Sequence, residues 1–391
     1  MQKNNRPLNL NLNLNIPINL RMGGVKNIVS LAIIITLLCT WQLWTPGRYY
    51  PEFPGSETLF SVNSILAYAI PVLLLISLLM IVLFRRPRFF IVSSVILSIT
   101  LVLLDTGRNQ YWFYFYILVL LVLAGYNWRV DNAYTSSSFL NAFKMILAGV
   151  YVITVYQHVG HSFINTDWPL FIKPFEKIAT PEQCRYLLKA GHIIPFLEVF
   201  MVIGLFFNRT KLAAIGFAIL FHIFSFMVLL MQNAPAEPAV LIWHIAMPVF
   251  VCIVFPGNPA EQKNHVFALN FYALSVILVF GGIIPAYIIM NDQSVKNKID
   301  LMQNNHAEQY LYFSDKDKSS LPLYIQSFAS ARENSFNKLA VTRWALHETG
   351  TKQMLSTRHL LQISQTLNTC FGVQSGITAT PPQQKTIVAL K

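Results

Sequence analysis

The sequence predicts an all-α polytopic membrane protein of about nine transmembrane helices with a small external C-terminal α+β domain. Three observations carry that reading. Only 12% of its 391 residues are charged while 54% are hydrophobic, about half the charged share of an average soluble domain. The apolar residues are gathered into long runs, nine of which reach or approach the roughly 20 residues that a helix needs to cross a bilayer. The cations cluster beside those runs rather than within them.

The runs cover 28–46, 62–84, 89–106, 111–126, 140–161, 191–207, 211–231, 240–255 and 267–290, the fourth and eighth being short. The first is longer than the apolar core of a signal peptide and lacks a small-x-small cleavage site, so it reads as an uncleaved signal anchor. A formal charge of +12 raises nucleic acid as a partner, but its placement points to orientation instead. Arg21 and Lys26 precede the first run, Arg85, Arg86 and Arg88 follow the second, Arg129 follows the fourth, and Arg209 and Lys211 separate the sixth from the seventh. All fall on one side if the N-terminus is cytoplasmic, as the positive-inside rule requires. The expected location is therefore the inner (cytoplasmic) membrane, with membrane lipids as the surroundings and residues 292–391 on the periplasmic side.

Three segments organise the chain: a tail over 1–25, a transmembrane domain over 26–291 and the external domain over 292–391. The stretch 162–190 is interrupted by Pro169, Pro174 and Pro181 yet keeps Trp168, Phe171 and Phe175. It reads as a re-entrant or interfacial segment, since irregular backbone at membrane depth needs protein or water to satisfy it. Thr180-Pro181-Glu182-Gln183 carries an N-cap with proline at the first helical position. The external domain is polar, with a strand expected at Tyr310–Phe313 and helices around 322–338 and 355–367. It is the candidate surface for a protein partner. Of Cys39, Cys184, Cys252 and Cys370, none forms a Cys-x-x-Cys pair; Cys184 and Cys370 share the outer side, and their pairing stays open.

Ionisable side chains inside such runs are costly and mark candidate sites. The topology gives each one a depth, because a helix rises about 1.5 Å per residue. His158 and His161 close the fifth run on the outer side, His192 opens the sixth, and Glu198 lies about 9 Å further in. His222 falls near the middle of the seventh run, and His244 lies in the first turns of the eighth. Asp105 and Arg108 end the third run on that side, and Trp112 opens the fourth. Nearly all therefore converge on the outer half. His192 and His222 are the nearest partners for Glu198 by depth. As chemistry, buried carboxylate and imidazole suit general acid-base work. A metal is not excluded, although no His-x-x-x-His or His-Glu-x-x-His motif is present.

The segment from Tyr156 through Gly160 to Asp167 and Trp168 resembles the Y-x-x-x-G-x-K-K-x-x-x-D-W pattern of the vitamin K-dependent gamma-carboxylase-like HTTM membrane family. Pro195–Glu198, the Asn208-Arg209-Thr210 turn and His222 resemble further motifs of that family. The stretch from Leu104 containing Asp105, Arg108, Gln110 and Trp112 resembles a signature of its bacterial members. The resemblance spans about 28–290 and implies a nine-span core whose site opens outward. It also implies a quinone-like substrate. With the depth argument beside it, His158, His161, His192, Glu198 and His222 are the catalytic candidates, and Asp105, Arg108, Trp112, Tyr156, Trp168 and His244 the candidate substrate contacts. Where the family carries its lysine pair, this chain has Ser162 and Phe163. Neither is an amine base, so carboxylase chemistry would require His161 or His158 to act instead.

Three functions follow as expectations. One is a membrane enzyme acting on a lipid-soluble substrate, with His161 and Glu198 handling the proton. The second is a non-catalytic biogenesis or interaction factor whose polar residues hold helices together. The third is a proton-coupled transporter, for which no inverted repeat is visible.

Overall fold

The computed structural model describes residues 17–48, 50–52, 64–108, 110–129, 133–159, 163–232, 237–256, 270–279, 310–333, 336–350 and 357–371. Within them every apolar run carries a helix. In chain order these are α1 (Ile18–Cys39), the short α2 (Trp41–Trp44), α3 (Ser64–Leu83), α4 (Arg88–Leu104), α5 (Tyr111–Ala124) and α6 (Ala133–His158). After an irregular stretch that contains α7 (Trp168–Ile172) come α8 (Pro181–Ala190), α9 (Ile194–Gly204), α10 (Lys211–Met231), α11 (Pro238–Val254) and α12 (Phe271–Leu278).

Four of these helices are long and apolar enough to cross a membrane: Leu20–Cys39, Ile65–Leu83, Ser136–Tyr156 and Lys211–Met231. The pair α8 and α9, bent by 51°, makes a fifth if taken as one span. Helices α4, α5 and α11 are apolar but shorter. The short fourth run has a physical explanation. Helix α5 buries side chains around its whole circumference, Trp112, Phe113, Phe115 and Val119 among them, as a helix apolar on all sides does when other helices surround it. It contacts α1, α4, α6, α11 and α12.

Helix α1 begins at Ile18, well before residue 28, so the expected tail over 1–25 is partly helical. Arg21 explains the shift: its Nε and Nη2 donate to the carbonyls of Ile253 and Val254 at 2.8 and 2.6 Å. Lys26 Nζ donates to the Phe84 carbonyl at 2.8 Å and sits 5.8 Å from the Trp128 ring. These cations satisfy carbonyls left open at the C-terminal ends of α11 and α3, where the helix dipole also favours positive charge. The same contacts place the start of α1 beside the ends of α3 and α11, in antiparallel packing. Tyr126 bonds Ser136 at 2.7 Å and packs edge-on against Trp128, so α6 also starts at this basic end. Its 26 residues carry it about 39 Å to the other end.

The C-terminal residues form a separate core. A three-stranded antiparallel sheet in the order β1-β3-β2 joins β1 (Tyr310–Phe313), β2 (Ala329–Glu333) and β3 (Phe336–Ala340). Leu311 pairs Leu339, and Phe313 pairs Asn337. The remaining elements are α13 (Asp315–Ser320), α14 (Leu323–Gln326), α15 (Val341–Thr349) and α16 (Thr357–Phe371). The strand at Tyr310–Phe313 therefore appears as expected from sequence, and the helix expected around 355–367 is found at Thr357–Phe371. Residues 322–338 do not form the expected helix. Only Leu323–Gln326 is helical there, and the alternation after it is consumed by the β2-β3 hairpin. Leu360, Ile363 and Leu367 of α16 close over the sheet at helical spacing.

This second core is pinned to the helical bundle by the segment after α2. Tyr50, 1% exposed, belongs to the C-terminal core and packs edge-on against Trp344 at 5.2 Å. Its backbone N–H donates to Glu348 Oε1 at 2.8 Å, while Trp344 Nε1 donates to Glu348 Oε2 at 2.7 Å. Between the two parts lies a cavity of about 390 Å³ lined by Gln42, Thr45, Arg48, Tyr324, His347 and Glu348. Burial, with Glu348 beside it, pushes the Tyr324 hydroxyl up to about 12. Replacing Tyr50 by Ala removes a fully buried aromatic ring and is expected to cost about 3–5 kcal/mol. Limited proteolysis of the purified protein should then release the C-terminal unit much faster than in the wild type, and unchanged resistance would contradict this account of the anchor.

Candidate functional site

Helices α6, α9, α10 and α11 bring their ionisable residues into contact on the side of the bundle away from the basic end. His158, in the last turn of α6, places Nδ1 2.9 Å from both Oε1 and Oε2 of Glu198 on α9. The carboxylate is 1% exposed and the imidazole 23%. Proline at the second position of α9 suits a helix start, where a backbone N–H has no partner in any case, and it leaves Glu198 one turn inside. His158 also stacks on Phe163 at 4.1 Å. An ionised Glu198 holds the proton on Nδ1, which leaves the Nε2 lone pair as the basic position.

A second polar chain crosses three helices. The Tyr151 hydroxyl on α6 is 3.1 Å from His222 Nε2 on α10, and His222 Nδ1 is 3.0 Å from His244 Nδ1 on α11. His222 and Tyr151 are buried. Both His222 nitrogens are engaged, so its ring donates through one and accepts through the other. The three groups can thus hold their protons in two neutral arrangements, which interconvert when one proton enters at one end of the chain and another leaves at the other. Tyr151 and His158 are seven residues apart, two helical turns, which puts them on one face of α6 about 10 Å apart.

Four of the expected polar residues are thus brought together in two contacts, with partners that differ from the sequence expectation. Glu198 meets His158, not His192 or His222, because the 51° bend between α8 and α9 leaves His192 exposed in the turn. His161 lies outside the described residues, as do Gly160 and Ser162 of the motif. Tyr156 is 73% exposed, on a different face from His158, since residues two apart on a helix diverge. Trp168 is structural in its contacts. It is buried, donates Nε1 to the Leu187 carbonyl at 2.8 Å, and presses so closely on Gly191 that a Cβ there would lie 2.4 Å from its ring.

Asp105 and Arg108 join another network at the same end of the bundle. Arg48 Nη2 pairs with Asp105 Oδ2 at 2.5 Å, and Arg108 Nε lies 3.6 Å from the same oxygen. Arg48 Nη1 and Arg108 Nε both donate to the Leu43 carbonyl, at 2.8 and 2.9 Å. These residues hold the 43–52 segment, and with it the Tyr50 anchor. Trp112 is buried among Trp44, Phe113 and Tyr116. Its indole N–H and the Tyr116 hydroxyl, one turn apart on α5, have no hydrogen-bond partner among the described residues. Among those residues no three His, Cys, Asp or Glu side chains come together around a common point, and all four cysteines are free thiols.

No protein-family model, curated protein or solved structure matches this chain. Sequence reasoning missed Tyr151 and Arg48. Tyr151 had a usable signal, its seven-residue spacing from His158; Arg48 sat in a Pro/Gly-rich loop with nothing to mark its reach. Asp105→Ala removes the buried carboxylate that faces two buried guanidinium groups and is expected to destabilise the protein by about 3–5 kcal/mol. Thermal unfolding in detergent measures this, and a shift no larger than that of an exposed-site control would refute it.

Proposed function

We propose that this chain is a multi-pass inner-membrane enzyme that performs acid-base chemistry on a lipid-soluble, quinone-like substrate. Its basic end faces the cytoplasm and its C-terminal unit the outside, with the nine apolar helices as spans. The observation that carries the reading is the His158–Glu198 dyad: a buried carboxylate bonded to one nitrogen of a partly exposed imidazole. In such a pair the carboxylate fixes the tautomer and stabilises the imidazolium formed when the free nitrogen takes a proton. Of the two histidines that the sequence offers as base, His158 is the one bonded to Glu198 among the described residues. The Tyr151–His222–His244 chain supplies a route along which a proton is passed on. The buried Trp112 and Tyr116 donors suit a substrate carrying carbonyl oxygens, since unsatisfied buried donors are costly.

One observation favours the non-catalytic reading: each polar pair also ties two helices together. Interhelical hydrogen bonds of this kind contribute about 0.6 kcal/mol on average in membranes. The two readings separate on one experiment. The reconstituted protein is incubated with a total membrane lipid extract in D2O, and the lipids are read by mass spectrometry for species that change mass or disappear. The enzyme reading expects a wild-type-dependent change that slows about 100-fold or more in Glu198→Gln and His158→Ala, the usual scale of general acid-base catalysis, while both variants remain folded. No wild-type-dependent change, or full turnover in both variants, would sink it.

A further inference from the structure

Between Trp168 and Ile193 the chain carries Lys173, Lys177, Arg185 and Lys189 against Glu176 and Glu182. This net positive stretch follows α6, and so lies at the end of the bundle opposite Arg21, Lys26 and Lys211. Cations in a connection on that side run against the charge bias that orients the other spans. They are also ordered rather than scattered. Helix α8 is fixed by a capping box, Gln183 N–H to Thr180 Oγ1 at 3.3 Å and Thr180 N–H to Gln183 Oε1 at 2.9 Å. It packs on both α7 and the Lys173–Lys177 turn, and Trp168 ties it down through the Leu187 carbonyl. Cys184, Leu187 and Leu188 form one side of α8, with Arg185 and Lys189 on the other, and none of its side chains is buried. Exposed Ile178, Ile193 and Phe196 flank it. A short amphipathic helix with an apolar side, a basic side and a 51° bend into the next helix has the form of an element lying in the plane of a membrane surface.

We infer that the 168–193 element is a headgroup-selecting surface that gathers anionic phospholipid beside the His158–Glu198 dyad. Charge complementarity commits it to that occupant: Lys173, Arg185 and Lys189 are exposed, and on the multi-pass reading they would face phosphate groups while the neighbouring apolar side chains would meet the acyl chains. Phe163, which stacks on His158, and Trp168 belong to the same aromatic cluster, so the lipids held there border the dyad directly. The inference rests on the multi-pass reading but not on turnover.

The full-length protein, solubilised and equilibrated with equal amounts of phosphatidylglycerol and phosphatidylcholine, is repurified and its retained lipids are quantified by mass spectrometry. Each cation near an anionic surface favours it by about fivefold, so wild type should retain phosphatidylglycerol at least about fivefold over its share of the mixture. Lys173→Gln/Arg185→Gln/Lys189→Gln should bring the ratio back towards the mixture. Arg85→Gln/Arg86→Gln at the other end should lower it less than the triple variant does, and Glu198→Gln in the dyad should leave it unchanged. Millimolar inorganic phosphate should not compete; if it does, the element is a free-anion site and the lipid assignment fails. Should the triple variant not fold, the charge reversal Lys189→Glu alone serves, with a several-fold drop expected. A wild-type ratio equal to that of the mixture, or full retention in the folded variants, overturns the inference.

Discussion

A carboxylate removed from water inside an apolar bundle has to be satisfied by protein, and this requirement at Glu198 governs much of what surrounds it. The His158 imidazole meets both of its oxygens at 2.9 Å. An unpaired buried charge would cost several kcal/mol, more than most single contacts return. The contact therefore sets how the end of α6 sits against α9. The bend between α8 and α9 and the aromatic cluster of Phe163 and Trp168 lie next to that contact.

The same rule recurs elsewhere with different partners. Arg21 and Lys26 answer open carbonyls at the ends of α11 and α3, Arg48 and Arg108 answer Asp105 and the Leu43 carbonyl, and Glu348 answers the Tyr50 N–H and the Trp344 indole. In each case polar groups buried by the packing of apolar neighbours are satisfied by protein, and at least one partner is distant in sequence. The network at Arg48 has a further consequence. By holding the segment that carries Tyr50, it makes the C-terminal unit a docked part of the molecule rather than a tethered one.

Function and fold meet on α6. One helix face carries Tyr151 and His158, and the neighbours of that face supply His222 and Glu198. An acid-base reading needs a basic nitrogen that is oriented and partly accessible; His158 combines a buried orienting partner with an imidazole that is 23% exposed. The aromatic and basic surface over 163–193 lies beside this arrangement, with Phe163 stacked on His158.

Helix positions were legible in the sequence because burial in lipid or protein demands long apolar runs, and a run announces itself without reference to its neighbours. The convergence of His158, Glu198, His222 and His244 on one half of the bundle was legible too, since alternating spans assign a depth to each residue. The capping box at Thr180 and the strand at Tyr310–Phe313 are local patterns of the same kind. Azimuth is not local. Which way a helix turns its side chains depends on the helices beside it, so only the tertiary structure paired Glu198 with His158, turned His192 and Tyr156 outward, and gave Trp168 to the packing of α8. The Arg48–Asp105 pair was hidden for the same reason: its energy lies in a contact between residues whose separation along the chain carries no sign that they will meet.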